Sequence, residues 1–260
     1  MIEITNLKKR FGSKEVLRGV TLRIDTGETM VIIGRSGCGK SVLLKHIVGL
    51  LKPDEGDVKV DGQTISKMSR AELYKIRLKF GYLFQGAALF DSMTVGENVG
   101  LALRENLGLS ESEIHKIVAE KLALVGLPNI ETMKPSELSG GMRKRVGLAR
   151  ALATNPEYIF YDEPTTGLDP IMSDAIDTLI KDLAQKLRVT SVVITHDMQS
   201  VYKVADRVAM MHDGKIHFLG TPKDLAETQD AIVRNFVERN SFHDVAIESE
   251  MERLQKSATR

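Results

Sequence analysis

Tryptophan is absent from this 260-residue chain, and aromatic residues make up only 5% of it. Surfaces that stack on nucleic-acid bases need exposed aromatic side chains, so this scarcity argues against such a surface. The 36 Lys and Arg residues nearly balance the 35 Asp and Glu residues, which leaves a net charge of +1. A chain this close to neutral has no global field to attract nucleic acid or anionic lipid. We therefore expect no nucleic-acid partner.

Cysteine and long apolar runs are also scarce. Cys38 is the sole cysteine, so the chain can form no internal disulfide, which is consistent with a reducing compartment. No apolar run approaches the roughly 18 residues of a membrane span, and the first ten residues lack the apolar segment of a signal peptide. If the protein works at a membrane, we expect another protein to hold it there.

The distribution of apolar residues predicts an α/β fold. The predicted strands are Ile2–Thr5, Val20–Ile24, Thr29–Ile33, Asp57–Val60, Phe80–Phe84, Tyr158–Tyr161, Ser191–Thr195, Arg207–Met211 and Lys215–Phe218. Three of them (29–33, 158–161 and 191–194) are almost wholly apolar, which is typical of strands buried in a parallel sheet. Residues from about 86 to 154 carry helical patterns and no strong strand, so they predict a helical insertion into the α/β core.

Local signals mark several turns and helix starts. Ser69 with Glu72, and Ser110 with Glu113, fit capping boxes, while Thr221-Pro222 fits a helix start with proline at its first position. Asp213-Gly214 predicts a tight hairpin between the last two strands. We expect one domain over 1–239 and a charged tail over 240–260.

A glycine-rich loop, GRSGCGKS, follows the apolar strand 29–33 and precedes a helical run, Val42–Gly49. Strand, glycine-rich loop and helix form the context of a phosphate-binding P-loop, whose backbone N–H groups point at the phosphates. The expected nucleotide-binding residues of the loop are Gly34, Arg35, Ser36, Gly37, Cys38, Gly39, Lys40 and Ser41. Lys40 should reach the β- and γ-phosphates, and the Ser41 hydroxyl should bind Mg²⁺. Cys38, at a helix start, is expected to be unusually acidic.

Two further segments carry chemistry. The apolar strand 158–161 ends in Asp162 and Glu163, which suits a role at Mg²⁺ for Asp162 and a general base for Glu163. Residues 138–142 (LSGGM, the signature segment) place Ser139, Gly140 and Gly141 at a helix start, where an anion could bind. The basic run 143–145 that follows is interpreted as a solvated helix face with one or two structural pairings.

Together these segments resemble the ATP-binding cassette (ABC) ATPases across nearly the whole chain. Residues 34–41 match the Walker A motif, 158–163 the Walker B motif and 138–142 the family signature, with Met142 in place of the usual Gln. The resemblance implies a P-loop NTPase core with a mostly parallel sheet, an antiparallel β subdomain and an inserted helical subdomain. It also implies ATP and Mg²⁺ as cofactors.

The resemblance assigns roles to further residues. Gln85 matches the Q-loop glutamine and is a metal ligand alongside Ser41 and Asp162, while Phe11 stands where an aromatic ring stacks on adenine. His196 resembles the switch histidine, a second catalytic residue, and Asp169 resembles the D-loop aspartate. In the family, two cassettes pair head to tail on ATP, so the signature segment acts on the nucleotide of the partner subunit.

The region after Gln85, the Met in the signature segment and the segment 165–171 look like the Mla-type ATPases, which serve MCE-associated phospholipid transport at the bacterial inner membrane. This resemblance implies a peripheral position on the cytoplasmic face, a membrane permease and an MCE-domain protein in the complex. The expected permease-docking residues are Leu89, Phe90, Met93 and Val95.

Other classes of protein stay open at this stage. A soluble single-cassette ATPase, for example one in iron–sulfur assembly, has the same architecture, and so does the ATPase of an importer for another substrate. A P-loop kinase or GTPase would have no use for the signature segment. Retention by a membrane permease separates the transporter class from the others.

Overall fold

The structure, a computed structural model, describes residues 1–240; the predicted tail over 240–260 lies outside them except for residue 240. These described residues form ten strands, with helices between many of them. The strands are β1 (Ile2–Phe11), β2 (Lys14–Ile24), β3 (Thr29–Ile33), β4 (Glu55–Val60), β5 (Gln63–Thr64), β6 (Phe80–Leu83), β7 (Tyr158–Asp162), β8 (Thr190–Ile194), β9 (Arg207–His212) and β10 (Lys215–Gly220).

The strands form two sheets. The larger has the order β10-β9-β3-β8-β7-β6, in which β9 to β6 are parallel and β10 is antiparallel. The smaller is antiparallel, with the order β2-β1-β4-β5. The expectation of an α/β fold with a mostly parallel sheet and an antiparallel β subdomain is therefore confirmed.

The helices cover both faces of the larger sheet. They are α1 (Lys40–Ile47), α2 (Arg70–Arg77), α3 (Val95–Asn106), α4 (Glu111–Leu124), α5 (Gly140–Leu152), α6 (Pro170–Leu187), α7 (Met198–Val204) and α8 (Pro222–Glu227); residues 231–240 are also helical. Because successive side chains of a strand point to opposite faces of the sheet, β3 contributes side chains to two hydrophobic cores, one on each face. Met30 and Ile32 pack with α1 and the antiparallel sheet, while Val31 and Ile33 pack with the helices on the other face.

Residues 86–154 contain α3, α4 and α5 and no strand, as expected, although the exact limits of the domain and of the insertion stay predictions. The last of these helices also packs on the sheet. A Cβ at Gly147 of α5 would lie 2.9 Å from the Leu83 side chain of β6. This close approach joins the signature segment, at the start of α5, to the strand that precedes Gln85.

The first two strands extend well beyond their predicted bounds. Their antiparallel pairing continues to Phe11 and Lys14, where both strands carry polar side chains. Hydrophobic alternation detects only strand segments with one buried face, so the sequence pattern missed this solvated end of the hairpin. The predicted turn at Asp213-Gly214 and the three predicted helix starts are present.

Within the 240 described residues, no helix is both long enough and apolar enough to cross a membrane.

A buried carboxyl group on α6 predicts a pH-dependent stability. Asp177 is 3% exposed; its Oδ2 accepts a hydrogen bond of 2.7 Å from Ser200, and its Oδ1 has no hydrogen-bond partner among the described residues. Burial, aided by nearby Asp197, raises the Asp177 pKa from 3.8 to about 6. An acid with a raised folded-state pKa destabilises the fold when it ionises, so stability should fall as the pH rises from about 4 to 7, by about 3 kcal/mol from this group.

We therefore expect Asp177→Asn to raise the free energy of unfolding at pH 8 by about 1–3 kcal/mol, and by less at pH 5. Urea unfolding at the two pH values measures this difference. Asp182→Asn, on the exposed side of the same helix, is the matched control and should change little. A destabilised Asp177→Asn protein at pH 8 would contradict the expectation.

Candidate nucleotide site

A groove of about 1280 Å³ lies at the carboxyl edge of the larger sheet. The strands β3, β8, β7 and β6 are neighbours in this sheet and run parallel, so the loops that follow them meet at one edge. Those loops bring Lys40, His196, Glu163 and Gln85 to the groove. Parallel pairing thus assembles residues that are up to 156 positions apart in sequence, from 40 to 196.

The phosphate loop, residues 34–41, curls around the side chain of its lysine, Lys40. The Lys40 ammonium donates hydrogen bonds to the carbonyls of Gly34 (2.6 Å) and Arg35 (3.2 Å). Gly34 has φ 145°, and a Cβ there would lie 2.4 Å from the carbonyl oxygen of Met211, so only glycine fits. Helix α1 begins at Lys40, and Lys40, Ser41 and Val42 of its first turn line the groove. The N–H groups that a helix start leaves without intrahelical partners are therefore at the groove, as an anion site requires.

Glu163 lies directly after β7 and forms the acidic centre of the groove. Its Oε2 lies 2.8 Å from His196 Nδ1 and accepts a hydrogen bond of 3.0 Å from Thr166. Burial alone would raise the Glu163 pKa, but the His196 and Thr166 contacts and the Lys40 charge outweigh it, so this pKa lies below its ordinary value. The contact with Glu163 in turn raises the His196 pKa. The contact therefore favours the ionised form of Glu163 and the protonated, positively charged form of His196.

Asp162, the last residue of β7, is the second acid in the groove. Burial raises its pKa, and the Tyr82 hydroxyl, 3.3 Å from Oδ2, opposes that effect. Ser41, Gln85 and Asp162 all line the groove, and each carries a side-chain oxygen that can bind a metal ion. Hard oxygen donors suit Mg²⁺, which proteins commonly bind through one or two side chains together with phosphate oxygens. No cluster of three or more acidic, His or Cys ligands occurs in the described part of the chain, which is compatible with such a shared site.

Comparisons with known proteins agree with this geometry. Residues 17–166 match the ABC transporter family. The chain belongs to that family.

Two curated relatives of this ABC chain are similar over most of its length. One is the "Probable ribonucleotide transport ATP-binding protein mkl" of Mycobacterium tuberculosis, 44% identical over 91% of this chain and 66% of that protein, so the chain spans about two thirds of that relative. The other is the "Intermembrane phospholipid transport system ATP-binding protein MlaF" of Haemophilus influenzae, 41% identical over 93% of this chain and 91% of that protein. Among solved structures, the ADP- and Pi-bound dimer of the ATP-binding cassette MJ0796 is 36% identical, with a TM-score of 0.78 over 85% of this chain and 99% of that one.

The signature segment of this ABC chain lies apart from its own phosphate loop. Ser139 is exposed and caps α5, and Asp169 is exposed and caps α6. Neither residue, nor Gly140 or Gly141, lines the groove that holds Lys40. A Cβ at Gly141 would lie 2.0 Å from Met172 Cε, so the two caps are packed side by side. Among the described residues, Ser139 and Asp169 thus lie on an exposed surface separate from the groove.

Two residues of the predicted nucleotide site lie outside the groove. Cys38 packs against the core beneath the loop, and burial raises the pKa of its thiol, so the expectation of an acidic cysteine is wrong. Desolvation of the thiolate outweighs the nearby Lys40 charge. Phe11, at the end of β1, is 46% exposed, and the groove beside it is lined by Val16. Its stacking on adenine stays a prediction.

Two expectations about exposed faces also need correction. Val95 is fully buried in the core beneath α3, and Leu89 packs against the same core, so Val95 is not available for docking. Phe90 remains 50% exposed and Met93 half-buried. The basic run 143–145, expected to be a solvated face with one or two structural pairings, is exposed at Arg143, whereas Lys144 is 5% exposed and donates to two backbone carbonyls.

Sequence reasoning did not assign Tyr82, Thr166 or Lys144 to the site. Tyr82 lies in β6, and the alternation of side chains along that strand could have shown which face it occupies. Thr166 lies three residues after Glu163, in the turn between a strand and a helix, and that context could have indicated its contact with Glu163. For Lys144 no such signal existed, because only packing of α5 on the sheet reveals where its ammonium group lies.

Proposed function

We propose that this chain is the ATP-hydrolysing subunit of an ABC transporter that moves phospholipid between bacterial membranes through an MCE-type system. The observation that carries the ATPase assignment is the Glu163 carboxylate, held by His196 and Thr166 in the groove that contains Lys40. The phospholipid assignment is supported by the similarity to a protein named MlaF over 93% of the chain.

Each residue of the groove has a role in the proposed reaction. Lys40 and the amides of the phosphate loop bind the β- and γ-phosphates, and Ser41, Gln85 and Asp162 would hold Mg²⁺, which neutralises phosphate charge when bound. The ionised Glu163 carboxylate accepts a proton from the attacking water, and His196 orients that carboxylate and the γ-phosphate. The lowered pKa of Glu163 keeps it ionised at neutral pH, as a general base must be.

The site is completed by a second copy of the chain in this proposal. Ser139, Gly140, Gly141 and Asp169 form a capping surface with no place in their own groove, and the structurally similar MJ0796 is described as a dimer. A head-to-tail dimer would place the signature segment of one subunit on the nucleotide of the other. Such an interface is self-complementary and closes with two nucleotides.

The permease surface is proposed to lie around Phe90 and Met93, on the loop that follows Gln85. Phe90 is an exposed aromatic side chain whose backbone is fixed, because its N–H donates to the buried Asn98 side chain (2.8 Å) and its carbonyl accepts from it (3.1 Å). An apolar anchor on a rigid loop suits a short amphipathic helix of a membrane permease. This attachment would place the protein on the cytoplasmic face of the inner membrane.

Phe90→Ala should weaken retention by the permease by a factor of roughly 30 to 1000, the loss of one buried aromatic anchor worth about 2–4 kcal/mol. The Asn98 contacts involve backbone atoms, so the free subunit should keep its melting temperature. Co-purification with detergent-solubilised permease and thermal unfolding measure the two effects. Tyr202→Ala, at a side chain of α7 that is 44% exposed, is the control and should keep retention. Unchanged retention of Phe90→Ala, or collapse of the free subunit, would refute the surface.

The substrate class is tested in the reconstituted complex. Vesicles that contain the permease and the MCE-domain protein should show ATP-dependent transfer of labelled phospholipid. Because one relative is named for ribonucleotide transport, labelled ribonucleotide is the competing cargo. Transfer of ribonucleotide alone would overturn the phospholipid assignment, and failure to bind any permease would favour a soluble ATPase such as one in iron–sulfur assembly.

A further inference from the structure

A buried lysine connects the two loops that flank the reaction site. Lys144 lies on α5 and is 5% exposed. Its ammonium group donates one hydrogen bond to the backbone carbonyl of Gln85 and another, of 3.1 Å, to the backbone carbonyl of Glu163. One side chain therefore contacts the peptide of the proposed metal ligand and the peptide of the proposed general base.

Both loops are held in conformations that side chains disfavour. Glu163 has φ 50°, and Ala87 and Ala88 have φ 60° and 48°, all in the left-handed region. Strained backbone of this kind persists only where surrounding groups hold it, and it concentrates at functional sites. For Glu163 the holding groups are Lys144, at its carbonyl, and the carbonyl of Ile194, which accepts its N–H at 2.9 Å.

A second cation on α5 holds the same loop. The Arg150 guanidinium donates to the carbonyls of Ala87 (2.6 Å) and Ala88 (2.7 Å), two turns along the helix from Lys144. The loop after β6 is thus fastened at both strained residues by Arg150 and at Gln85 by Lys144. Of these two α5 side chains, Lys144 is the one that also donates a hydrogen bond to Glu163.

Burying the Lys144 ammonium costs free energy, which packing alone does not explain. In the described part of the chain its ammonium donates hydrogen bonds to the two backbone carbonyls and to no carboxylate. Burial lowers its pKa, although the nearby carboxylates of Glu163 and Asp162 oppose that effect. A buried cation satisfied by the peptides of two functional residues indicates a role in their placement.

We propose that Lys144 is a positioning residue that sets the distance between the Glu163 peptide and the Gln85 peptide, and so aligns the general base with the metal-bound γ-phosphate. This inference rests on the roles proposed above for Glu163 and Gln85. Lys144 acts through these two residues and touches no substrate. Since α5 begins at the signature segment, the same side chain also ties that segment to the chain's own reaction site.

The test replaces the ammonium group while keeping side-chain length. Lys144→Met removes both hydrogen bonds and should lower kcat about 10- to 100-fold, since a displacement of about 1 Å at a reacting group costs about 10²-fold. ATP affinity should stay within about threefold, because Lys40 and the phosphate loop are untouched. Lys144→Arg, which can donate to both carbonyls, should restore kcat, and Lys144→Gln, with a single NH₂ group, should fall between Met and Arg.

Lys121→Met is the matched control. Lys121 is 6% exposed, on α4, and its ammonium donates to Asn155 (2.8 Å) and Glu120 (3.0 Å), outside the nucleotide groove. Lys121→Met therefore removes the same ammonium group from a side chain that is about as buried as Lys144. Thermal unfolding is measured for every variant, and kcat is compared at a temperature at which all are folded. If Lys144→Met does not fold, the kcat values of the wild type, Lys144→Arg and Lys144→Gln still test the proposal, because kcat should be lower in Lys144→Gln than in the other two.

The proposal is supported if kcat is lowest in Lys144→Met, intermediate in Lys144→Gln and highest in Lys144→Arg. ATP affinity must also be kept in these variants, and Lys121→Met must remain active. Wild-type kcat in Lys144→Met, equal losses in Lys121→Met, or an ATP affinity that falls as much as kcat would each overturn it. Glu163→Gln is measured alongside, so that failure of the positioning role of Lys144 can be distinguished from failure of the proposed general base. An inactive Glu163→Gln with a fully active Lys144→Met rejects the positioning role alone, whereas an active Glu163→Gln rejects the proposed base.

Discussion

Replacing Glu163 by Gln should lower kcat for ATP hydrolysis by about 10²–10⁴ while ATP binding is kept. The amide has the shape of the carboxylate but cannot accept a proton from water. Its oxygen can still accept the hydrogen bonds from Thr166 and His196, so the loop should keep its conformation. Phosphate release measures turnover, and binding of a fluorescent ATP analogue measures affinity.

The same variant should accumulate as a dimer in ATP and Mg²⁺, because the nucleotide that bridges the subunits is no longer cleaved. Light scattering after chromatography reports the mass. Glu157→Gln, an exposed acid one residue before β7, makes the identical chemical change outside the groove and should behave as wild type. Near-normal turnover in Glu163→Gln would remove Glu163 from the role of base.

Ser139→Arg should abolish turnover, by about 10²-fold or more, and leave ATP binding to the isolated monomer within about twofold. Ser139 is exposed and does not line the groove of its own chain, so its proposed target is the nucleotide of the partner. An arginine there would block the approach of the two subunits by its size. Turnover and equilibrium binding at concentrations below dimer formation give the two values.

A capping serine elsewhere provides the control for Ser139. Ser110 is also exposed and also caps a helix, α4, so Ser110→Arg removes an equivalent hydrogen bond far from the groove. It should keep turnover. In mixed dimers, one Ser139→Arg subunit should disable the site that contains the partner's Lys40. The head-to-tail arrangement would be wrong if Ser139→Arg weakened monomer binding as much as Lys40→Ala.

The nucleotide site was predictable from the sequence because its chemistry lies in short contiguous segments. An apolar strand followed by GRSGCGKS specifies a phosphate loop, since the glycines allow the turn and the helix start supplies N–H groups. The almost wholly apolar runs 29–33 and 191–194 predicted parallel buried strands, and in the structure these are neighbours, β3 and β8. Parallel neighbours share a carboxyl edge, so the placement of His196 beside the loop followed from strand type.

What the sequence could not determine is which side chains are buried once the helices pack. Val95 and Phe90 are both apolar and five residues apart, yet one is in the core and the other is exposed. Cys38 lies inside the motif but faces the core, where desolvation raises its pKa. Lys144 belongs to a basic run in which one or two structural pairings were expected, but no pattern indicated that its side chain would be buried on α5 and donate to the Gln85 and Glu163 carbonyls.

By itself, then, the sequence determined the family, the strand types and the segments that form the candidate nucleotide groove, because these depend on local patterns and motif order. Tertiary structure alone decided that Lys144 reaches Gln85 and Glu163, that Arg150 holds Ala87 and Ala88, and that Ser139 lies outside its own groove. The physical reason is that these contacts join segments between 19 and 63 residues apart, or face outward from the domain. Their geometry is set by how α5 packs on the sheet, and no local pattern records that packing.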